Sequence, residues 1–549
     1  MKYQEWKKET GRLVAMAGCT VKKFNELLPY FHCQCSIVLW CVLFMATLSC
    51  GKKDPVVPDV PDEELPVVWG TDTSTEVRLT SFRFGKAYNV QLPADVVCDI
   101  DGGEITAFIP SLKSAASLIP LFEGHYETVK VDGVTQVSGV TPNDFDRRAT
   151  YVLTGKNGAT QSYHVTVKVF TGLPIVTITT DGAQPVADKE TWVPGTVAVG
   201  RTPDYPIGYN GRMKMKGRGN ATWTYEKKPY RFKLDAKAKI LGMPADKDWV
   251  LLADYCDKSM LRTSCGFELA ELAGLPWTPR RQHVEFFMNG AYQGTYLLCE
   301  HVKTAGDRAN VQEDGFLFER DNYWNQEPLW FTTNRGHHYT FKYPDTEDIA
   351  KNDANYLFIL KRMNDFENDL YSAHFTDPTT GYRKHIDVEN FIRWYLVQET
   401  LGNIDTNPYF ALESRTGKLK VYPVWDFEWS LGLAAIGQSG WAQPPTVSPI
   451  DRLYWRNSPY YDRLFQDPYF VNLFMERQMQ MKTEWLPALE EKMANLREEL
   501  RYAQTENFTR WPILGRYISV GLVKFPTWEE ECDYALNFLK QRAEAIMNN

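Results

Sequence analysis

The sequence predicts an α+β protein in which a bilobal domain follows a small all-β sandwich. Short runs of alternating apolar and polar residues, broken by Gly, Pro, Asp and Asn, fill residues 76–172. Strand-like segments then dominate the first part of residues 173–549, and helical periodicity dominates the remainder. Strands first and helices later indicate a sheet-rich lobe beside a helix-rich lobe.

The first 50 residues differ from the rest of the chain. Residues 37–48 form an uncharged apolar run, which is shorter than the roughly 20 residues of a bilayer span but suits a signal peptide. The run ends on small residues and Cys50, and the chain then turns polar. This pattern resembles a lipobox, so we expect residues 1–50 to be a lipoprotein signal peptide and Cys50 to carry lipid. A buried N-terminal helix is the alternative.

Residues 51–75 are rich in proline and acidic side chains. This composition favours an extended, polyproline-like tether, which would hold a domain away from a membrane. We therefore expect a protein of the cell envelope, anchored by its lipid, on either the periplasmic or the surface-exposed side.

Residues 76–172 predict a small antiparallel sandwich, on the basis of period-2 runs such as Val77–Phe84 and Tyr163–Phe170. This region contains no cluster of His, Cys or paired acids that would carry chemistry. A spacer or a weak binding module is therefore the expected role. The region resembles the Ig-like repeats of Bacteroidetes surface lipoproteins.

Residues 173–549 form the predicted bilobal domain. Its predicted strands are Ile175–Thr180, Arg212–Lys216, Tyr230–Leu234, Val284–Phe287, Thr295–Leu298 and Phe316–Glu319. Its predicted helices lie in residues 349–371, 387–402, 459–505 and 527–547.

Composition excludes one class of partner. Acidic residues outnumber basic ones, 69 to 61, for a net charge of −8, and no segment carries the basic patch that nucleic-acid binding needs.

The five cysteines that follow Cys50 are scattered and contain no CxxC pair, which argues against a disulfide framework or a zinc site and favours buried thiols.

A basic segment follows a Gly-Arg-Gly turn centred on Arg218. The two glycines permit a tight turn whose backbone amides face an anion. In the strand that follows, alternation places Phe232 and Leu234 on one face. Arg231 and Lys233 then lie on the other face, from which Lys233 can reach phosphates. Because a basic strand is also typical of a solvated face, both interpretations stay open.

Two acidic segments follow in the second half. Asp405 and Asn407 lie just after a predicted helix. The negative end of the helix dipole disfavours an acid there, so Asp405 should have a functional reason to be present. The alternative is that these residues form an Asx turn. Asp426 and Glu428 alternate with large aromatic residues. Two carboxylates on one strand face can hold Mg²⁺, whereas a turn with an exposed acid is the alternative.

Several signatures occur in a fixed order along residues 218–428. They are RGN (218–220) with TW (222–223), KPYRFK (228–233), KDWVLL (247–252), KSMLR (258–262), VEFFMNG (284–290), YQGTYLLCE (292–300), NID (403–405) and WDFE (425–428). In this order they resemble the CotH kinase family, which is named for a spore-coat protein and is related in fold plan to atypical secretory kinases. The resemblance implies an atypical-kinase-like bilobal domain.

The resemblance also implies phosphoryl transfer from ATP, with Mg²⁺ or Mn²⁺, to a protein hydroxyl. Asp405 would orient or deprotonate the acceptor hydroxyl. Asp426 would bind the metal ion, with Asn407 or Glu428 assisting. The DFG-like position here reads Asp-Phe-Glu, and one residue separates Asp405 from Asn407 where protein kinases have four.

The ATP phosphates have their own implied residues. Lys233 would hold the α- and β-phosphates, and Glu300 would pair with that lysine. Arg218 and Asn220 would lie at the phosphate turn. Lys228 and Arg231 compete with Lys233 for its role.

Two other functions stay open. A catalytically silent adhesion or scaffold protein would keep the fold, and its partner would be a glycan, a protein or the cell wall. Carbohydrate hydrolysis would need a carboxylate pair roughly 5–10 Å apart, for which Asp405 and Asp426 are the available pair. The expected partner of the kinase-like domain is a protein substrate or surface partner.

Overall fold

The structure is a computed structural model that describes residues 76–90, 92, 95–110, 115–200, 207–437, 440–444 and 446–547. The predicted signal peptide, the tether and the lipidation site at Cys50 lie outside the described residues. Across the ranges described, no helix combines the length and the apolar content that crossing a membrane requires.

The first region is an all-β unit of two sheets around one core. Its strands are β1 (Arg78–Phe84), β2 (Val96–Val97), β3 (Asp99–Asp101), β4 (Glu104–Pro110), β5 (Leu121–His125), β6 (Thr128–Val131), β7 (Val134–Thr135), β8 (Ala149–Thr154) and β9 (Thr160–Phe170). The sheet orders are β2-β1-β5 and β3-β4-β9-β8-β6-β7. The prediction of a purely antiparallel sandwich is wrong in one place, because β4 and β9 pair in parallel.

The second region is a closed barrel of seven strands in the order β10-β11-β12-β13-β14-β16-β15. These strands are β10 (Ile175–Thr180), β11 (Val193–Val199), β12 (Tyr209–Gly217), β13 (Tyr230–Ile240), β14 (Met243–Leu252), β15 (Arg281–Met288) and β16 (Ala291–Glu300). In β13 the alternation is as predicted: Phe232 and Leu234 are buried in the barrel core, and Arg231 and Lys233 face outward.

The third region contains a five-stranded sheet of order β18-β19-β17-β20-β21 and a short hairpin. The strands are β17 (Phe316–Arg320), β18 (Trp330–Thr332), β19 (His338–Tyr343), β20 (Tyr409–Leu412), β21 (Leu419–Val421), β22 (Ile436–Gly437) and β23 (Gly440–Trp441). The helices are α1 (Arg262–Leu272), α2 (Ala354–Leu370), α3 (Val388–Leu401), α4 (Tyr461–Leu464), α5 (Pro468–Gln480), α6 (Leu486–Leu500), α7 (Ala503–Arg510) and α8 (Trp528–Met547).

Predicted helical ranges match this third region except at α1 and α7. The helical periodicity predicted across residues 459–505 corresponds to α4, α5 and α6, with a π-helical turn at Met481–Trp485 before α6. Helix α7 lies mostly beyond that range, and helix α1 was not predicted, although it lies in the main core. The architecture is therefore mixed α+β, with a barrel that the sequence does not signal.

Helix α3 positions the first acidic segment. Asp387 caps its N-terminus by accepting a hydrogen bond from the Asn390 backbone N–H. Gly402 ends it in the left-handed conformation (φ 58°), and the Asn403 N–H donates back to the Gln398 carbonyl. This glycine-terminated end turns the chain sharply into the loop that carries Asp405.

Candidate functional site

Two hydrogen-bonding side chains fasten the loop after α3 to the segment around Asp426. The Asn403 amide donates to the Asp426 carbonyl at 3.0 Å. The Thr406 hydroxyl donates to the Trp425 carbonyl at 3.1 Å. Because Asp405 lies between these two side chains in sequence, the tethers hold it beside Asp426.

The segment around Asp426 is not a strand, so the predicted strand face with Asp426 and Glu428 is wrong. Asp426 has a left-handed backbone (φ 57°), which breaks the alternation that a shared face requires. Phe427 is fully buried, and its ring packs edge-to-face on Phe267 of α1. Glu428 accepts a hydrogen bond from the Cys256 N–H at 2.8 Å, so it serves the backbone of another loop.

The electrostatics of the acids are mutually unfavourable. Protein atoms around the Asp405 carboxylate raise its pKa to about 6, although the residue is exposed to water. Protein atoms crowd the Asp426 carboxylate and raise its pKa to about 7, although its surface is open to water. Arg218 opposes this pKa increase, while Asp405 and Glu319 add to it. We call Glu319, Asp405 and Asp426 the acid cluster.

Sequence reasoning missed Glu319, which enters the site through strand register. Glu319 of β17 lies directly opposite Tyr409 of β20, and the two side chains share a hydrogen bond. The Lys342 ammonium lies 3.0 Å from the Glu319 carboxylate. Burial raises the pKa of Glu319, and hydrogen bonds from Lys342 and Asn407 oppose that rise. Asn407 is thus held by Glu319 and reaches the same sheet face.

The turn at Arg218 brings a cation to this cluster. Gly219 adopts φ 82°, and the Arg218 guanidinium lies 5.3 Å from the Trp425 ring centroid. The Arg218 N–H donates to the Pro229 carbonyl at 3.2 Å, so this amide is not free to face an anion as predicted. The Asn220 side chain accepts from the Lys189 ammonium at 3.2 Å.

The expected ion pair between Lys233 and Glu300 does not form. Glu300 is fully buried and pairs with Arg280 at 3.0 Å and Arg308 at 3.6 Å. Glu300 lies in register with Trp249, whose side chain points into the barrel. Directly opposed residues on antiparallel strands share a face, so Glu300 and Lys233 lie on opposite faces of the sheet.

Lys233 belongs instead to a basic strand face formed by Lys214, Lys216, Arg231 and Lys233 on β12 and β13. The Asp248 carboxylate lies 2.7 Å from Arg231 and 4.0 Å from Lys233. Interaction with Arg231 and Lys303 holds the pKa of Asp248 low despite burial.

Lys228 is separated from the basic strand face. Its ammonium donates to the Trp223 carbonyl at 2.7 Å. His301 lies between this face and Arg218: burial, Arg231 and Arg218 together lower its pKa to about 3.

The carboxylates of the acid cluster fit one way of binding a divalent cation. Among the described residues, no group of three His, Cys, Asp or Glu side chains is close enough to bind one ion. Mg²⁺ is nevertheless commonly held by one or two carboxylates together with water and phosphate oxygens. Asp405 and Asp426, two neighbouring carboxylates with raised pKa values, fit that mode because a cation would relieve their repulsion.

Comparison with known proteins defines the class. A family model described as CotH kinase protein matches residues 215–546, which is more than half of the chain and includes every residue of the acid cluster. The C-terminal domain is therefore kinase-like in class. The chain belongs to the CotH kinase protein family.

Other comparisons add little. No curated protein matches the chain. A solved structure from Bacteroides thetaiotaomicron, provisionally described as a glycoside hydrolase, is 17% identical, and the match covers 33% of this chain and 53% of that chain with a TM-score of 0.15. At that TM-score the likeness carries no argument about fold or function.

Proposed function

We propose that this domain transfers a phosphoryl group from ATP to a hydroxyl group of a protein substrate. The observation that supports it most is the fastening of Asp405 to the Asp426 segment by Asn403 and Thr406, next to Arg218. Phosphoryl transfer needs positioned charges more than covalent help. A base, a metal-binding acid and a cation in one site meet that need.

Asp405 is the proposed base for the acceptor hydroxyl. Its pKa of about 6 leaves it mostly ionised at neutral pH, yet closer to the operating pH than an ordinary carboxylate, which suits general-base catalysis. Its side chain is exposed, so a substrate hydroxyl can approach it. Asn407 lies two residues further on and is held on Glu319, which orients it beside the base.

Asp426 is the proposed ligand of Mg²⁺ or Mn²⁺, and Arg218 the proposed contact to the phosphates. When bound, the metal ion would neutralise phosphate charge during transfer. Arg231 and Lys233 supply further positive charge from the barrel wall. Arg231 also shares His301 with Arg218 as an electrostatic neighbour. Neither metal binding by Asp426 nor the phosphate contact by Arg218 requires Glu300.

Incubation of the purified chain with γ-labelled ATP and Mg²⁺ or Mn²⁺ tests this proposal. We expect label on the chain or on an added envelope protein, and a loss of at least about 100-fold in Asp426→Asn and Asp405→Asn. Asp365→Asn is the matched control, because Asp365 is a partly exposed acid that pairs with Lys361 on α2, away from the acid cluster. Failure to bind ATP at millimolar concentration would refute the proposal, as would labelling that survives Asp426→Asn.

We further infer that the protein is exported and anchored to a membrane of the cell envelope by lipid on Cys50. The support is the apolar run of residues 37–48, which ends near Cys50 and is followed by a proline-rich acidic segment. Cells fed a radioactive fatty acid should label the wild-type chain but not Cys50→Ala. Equal labelling of both chains, or of neither, would exclude this anchor.

A further inference from the structure

A group of aromatic side chains lies on the same sheet face as the acid cluster. Trp330 of β18 is in register with Thr340 of β19, which is in register with Glu319 of β17. Glu319 is in turn in register with Tyr409. Since in-register residues share a face, Trp330 and Glu319 point to the same side. At about 4.8 Å per strand, two strand spacings separate them by about 10 Å.

The segment that follows β17 completes this aromatic group. The Trp324 ring stacks on His338 of β19 with centroids 4.1 Å apart, and it lies 5.3 Å from the Trp330 ring. Tyr323 is 55% exposed beside it. Tyr323, Trp324 and Trp330 are hereafter the aromatic shelf. Because stacking on His338 fixes the Trp324 ring, little side-chain freedom is lost when a ligand binds.

The shelf is joined to the acid cluster, and exposed amides form part of its rim. The Asn322 amide donates to the Asn407 side chain at 3.2 Å, which connects the start of the shelf segment to the loop of Asp405. Asn325 and Gln326, which flank the shelf, are exposed amides. Two acids adjoin this segment: Asp321 is buried and accepts from the Tyr323 N–H at 2.7 Å, and Glu327 is partly exposed.

We propose that the aromatic shelf is a carbohydrate-binding subsite. A sugar ring offers an apolar C–H face that packs on indole and phenol rings, and its hydroxyl groups both donate to and accept from side-chain amides. The amides of Asn322, Asn325 and Gln326 are exposed, so they can both donate to and accept from the hydroxyl groups of a sugar. The proposal does not rest on phosphoryl transfer, because binding at the shelf needs no nucleotide.

Calorimetric titration of the full chain, without ATP, tests the shelf. The probes are soluble hexasaccharides of β-1,4-linked glucose, xylose, mannose and N-acetylglucosamine. We expect at least one to bind in the millimolar range or tighter. Trp324→Ala and Trp330→Ala should each weaken that binding by about tenfold, and Trp324→Phe by less. Tyr517→Ala is the matched control, since Tyr517 is a 42% exposed aromatic residue outside the shelf.

Three outcomes would overturn the proposal. The first is no binding of any hexasaccharide by the wild-type chain, and the second is equal affinity in wild type and both tryptophan variants. The third is an equal loss in Tyr517→Ala. If a tryptophan variant fails to fold, as judged by circular dichroism, Tyr323→Ala replaces it, because an exposed side chain contributes little to stability. Loss of ATP binding in any shelf variant would be a separate result about phosphoryl transfer.

Discussion

Replacing Gly266 with alanine sets two physical effects against each other in α1. Gly266 lies inside this helix, where alanine is intrinsically better by about 1 kcal/mol. An added Cβ would, however, lie 2.3, 2.4 and 2.6 Å from three ring atoms of Phe427. Helix propensity therefore predicts stabilisation, and packing predicts destabilisation.

The distances decide between the two effects. Ordinary contact begins at 3.4 Å, so relief of a 2.3 Å contact requires movement of about 1 Å. The Phe427 ring is fully buried and packs on Phe267, which leaves it no open space. Overpacking costs about 1–3 kcal/mol, and three short contacts place Gly266→Ala near the upper end. The net destabilisation is about 2 kcal/mol, which for a region of about 400 residues corresponds to about 2–3 °C in Tm.

Differential scanning calorimetry measures this difference directly. Gly306→Ala is the control, because a Cβ at Gly306 meets nothing within 4 Å. The Tm of this variant should equal that of the wild type. Phosphoryl transfer should also fall in Gly266→Ala at a temperature where it remains folded, since Phe427 adjoins Asp426. A Tm for Gly266→Ala at or above the wild-type value would refute the packing argument and leave helix propensity as the larger effect.

Three further predictions concern the charges of the site. Asp426 has a folded pKa of about 7, above the ordinary aspartate value of 3.8, so its contribution to stability falls as pH rises from about 4 to 7. Asp426→Asn should therefore melt at a higher temperature than the wild type at pH 8 in EDTA, and an equal or lower Tm would contradict this. Arg218→Gln removes the cation that lowers the Asp426 pKa, so carboxyl-carbon NMR should show Asp426 titrating at a higher pH than in the wild type. Affinity for ATP should also fall by about tenfold. An unchanged titration midpoint would exclude the interaction between Arg218 and Asp426. Lys342→Met leaves the buried Glu319 without its partner at 3.0 Å. Because Lys342 is partly exposed, we expect the free energy of unfolding measured by chemical denaturation to fall by about 1–2 kcal/mol. Adding Glu319→Gln to the same chain should partly restore it.

Local patterns in the sequence predicted the elements whose causes are local. Strand β10 has the predicted bounds, and the two faces of β13 follow from its alternation. Helix α3 lies within one residue of its prediction at each end because an aspartate cap and a terminal glycine mark it. Helix α1 lacks such a signal, since eight of its eleven residues are buried and a helix buried on all sides shows no amphipathic period.

The site residues required information that no local pattern holds. The sequence places Glu300 near the end of a strand, but only the register of β16 with β14 shows that it shares a face with Trp249 rather than Lys233. Glu319 and Lys342 have no motif of their own. They reach the site because β17 pairs with both β19 and β20, which are about 70 residues apart in the chain.

The charge of Asp426 is unfavourable for the fold, and this is an argument for its function. Its left-handed backbone (φ 57°) is one that aspartate and asparagine adopt more readily than most residues. Its carboxylate, however, is crowded by protein atoms and by three other acids, Asp405, Glu319 and Glu428, which disfavours its charged form. Asparagine would keep the size of the side chain and suit the same backbone while removing that charge. A stability requirement alone therefore does not account for an aspartate at this position, whereas the need for a negatively charged ligand beside Arg218 does.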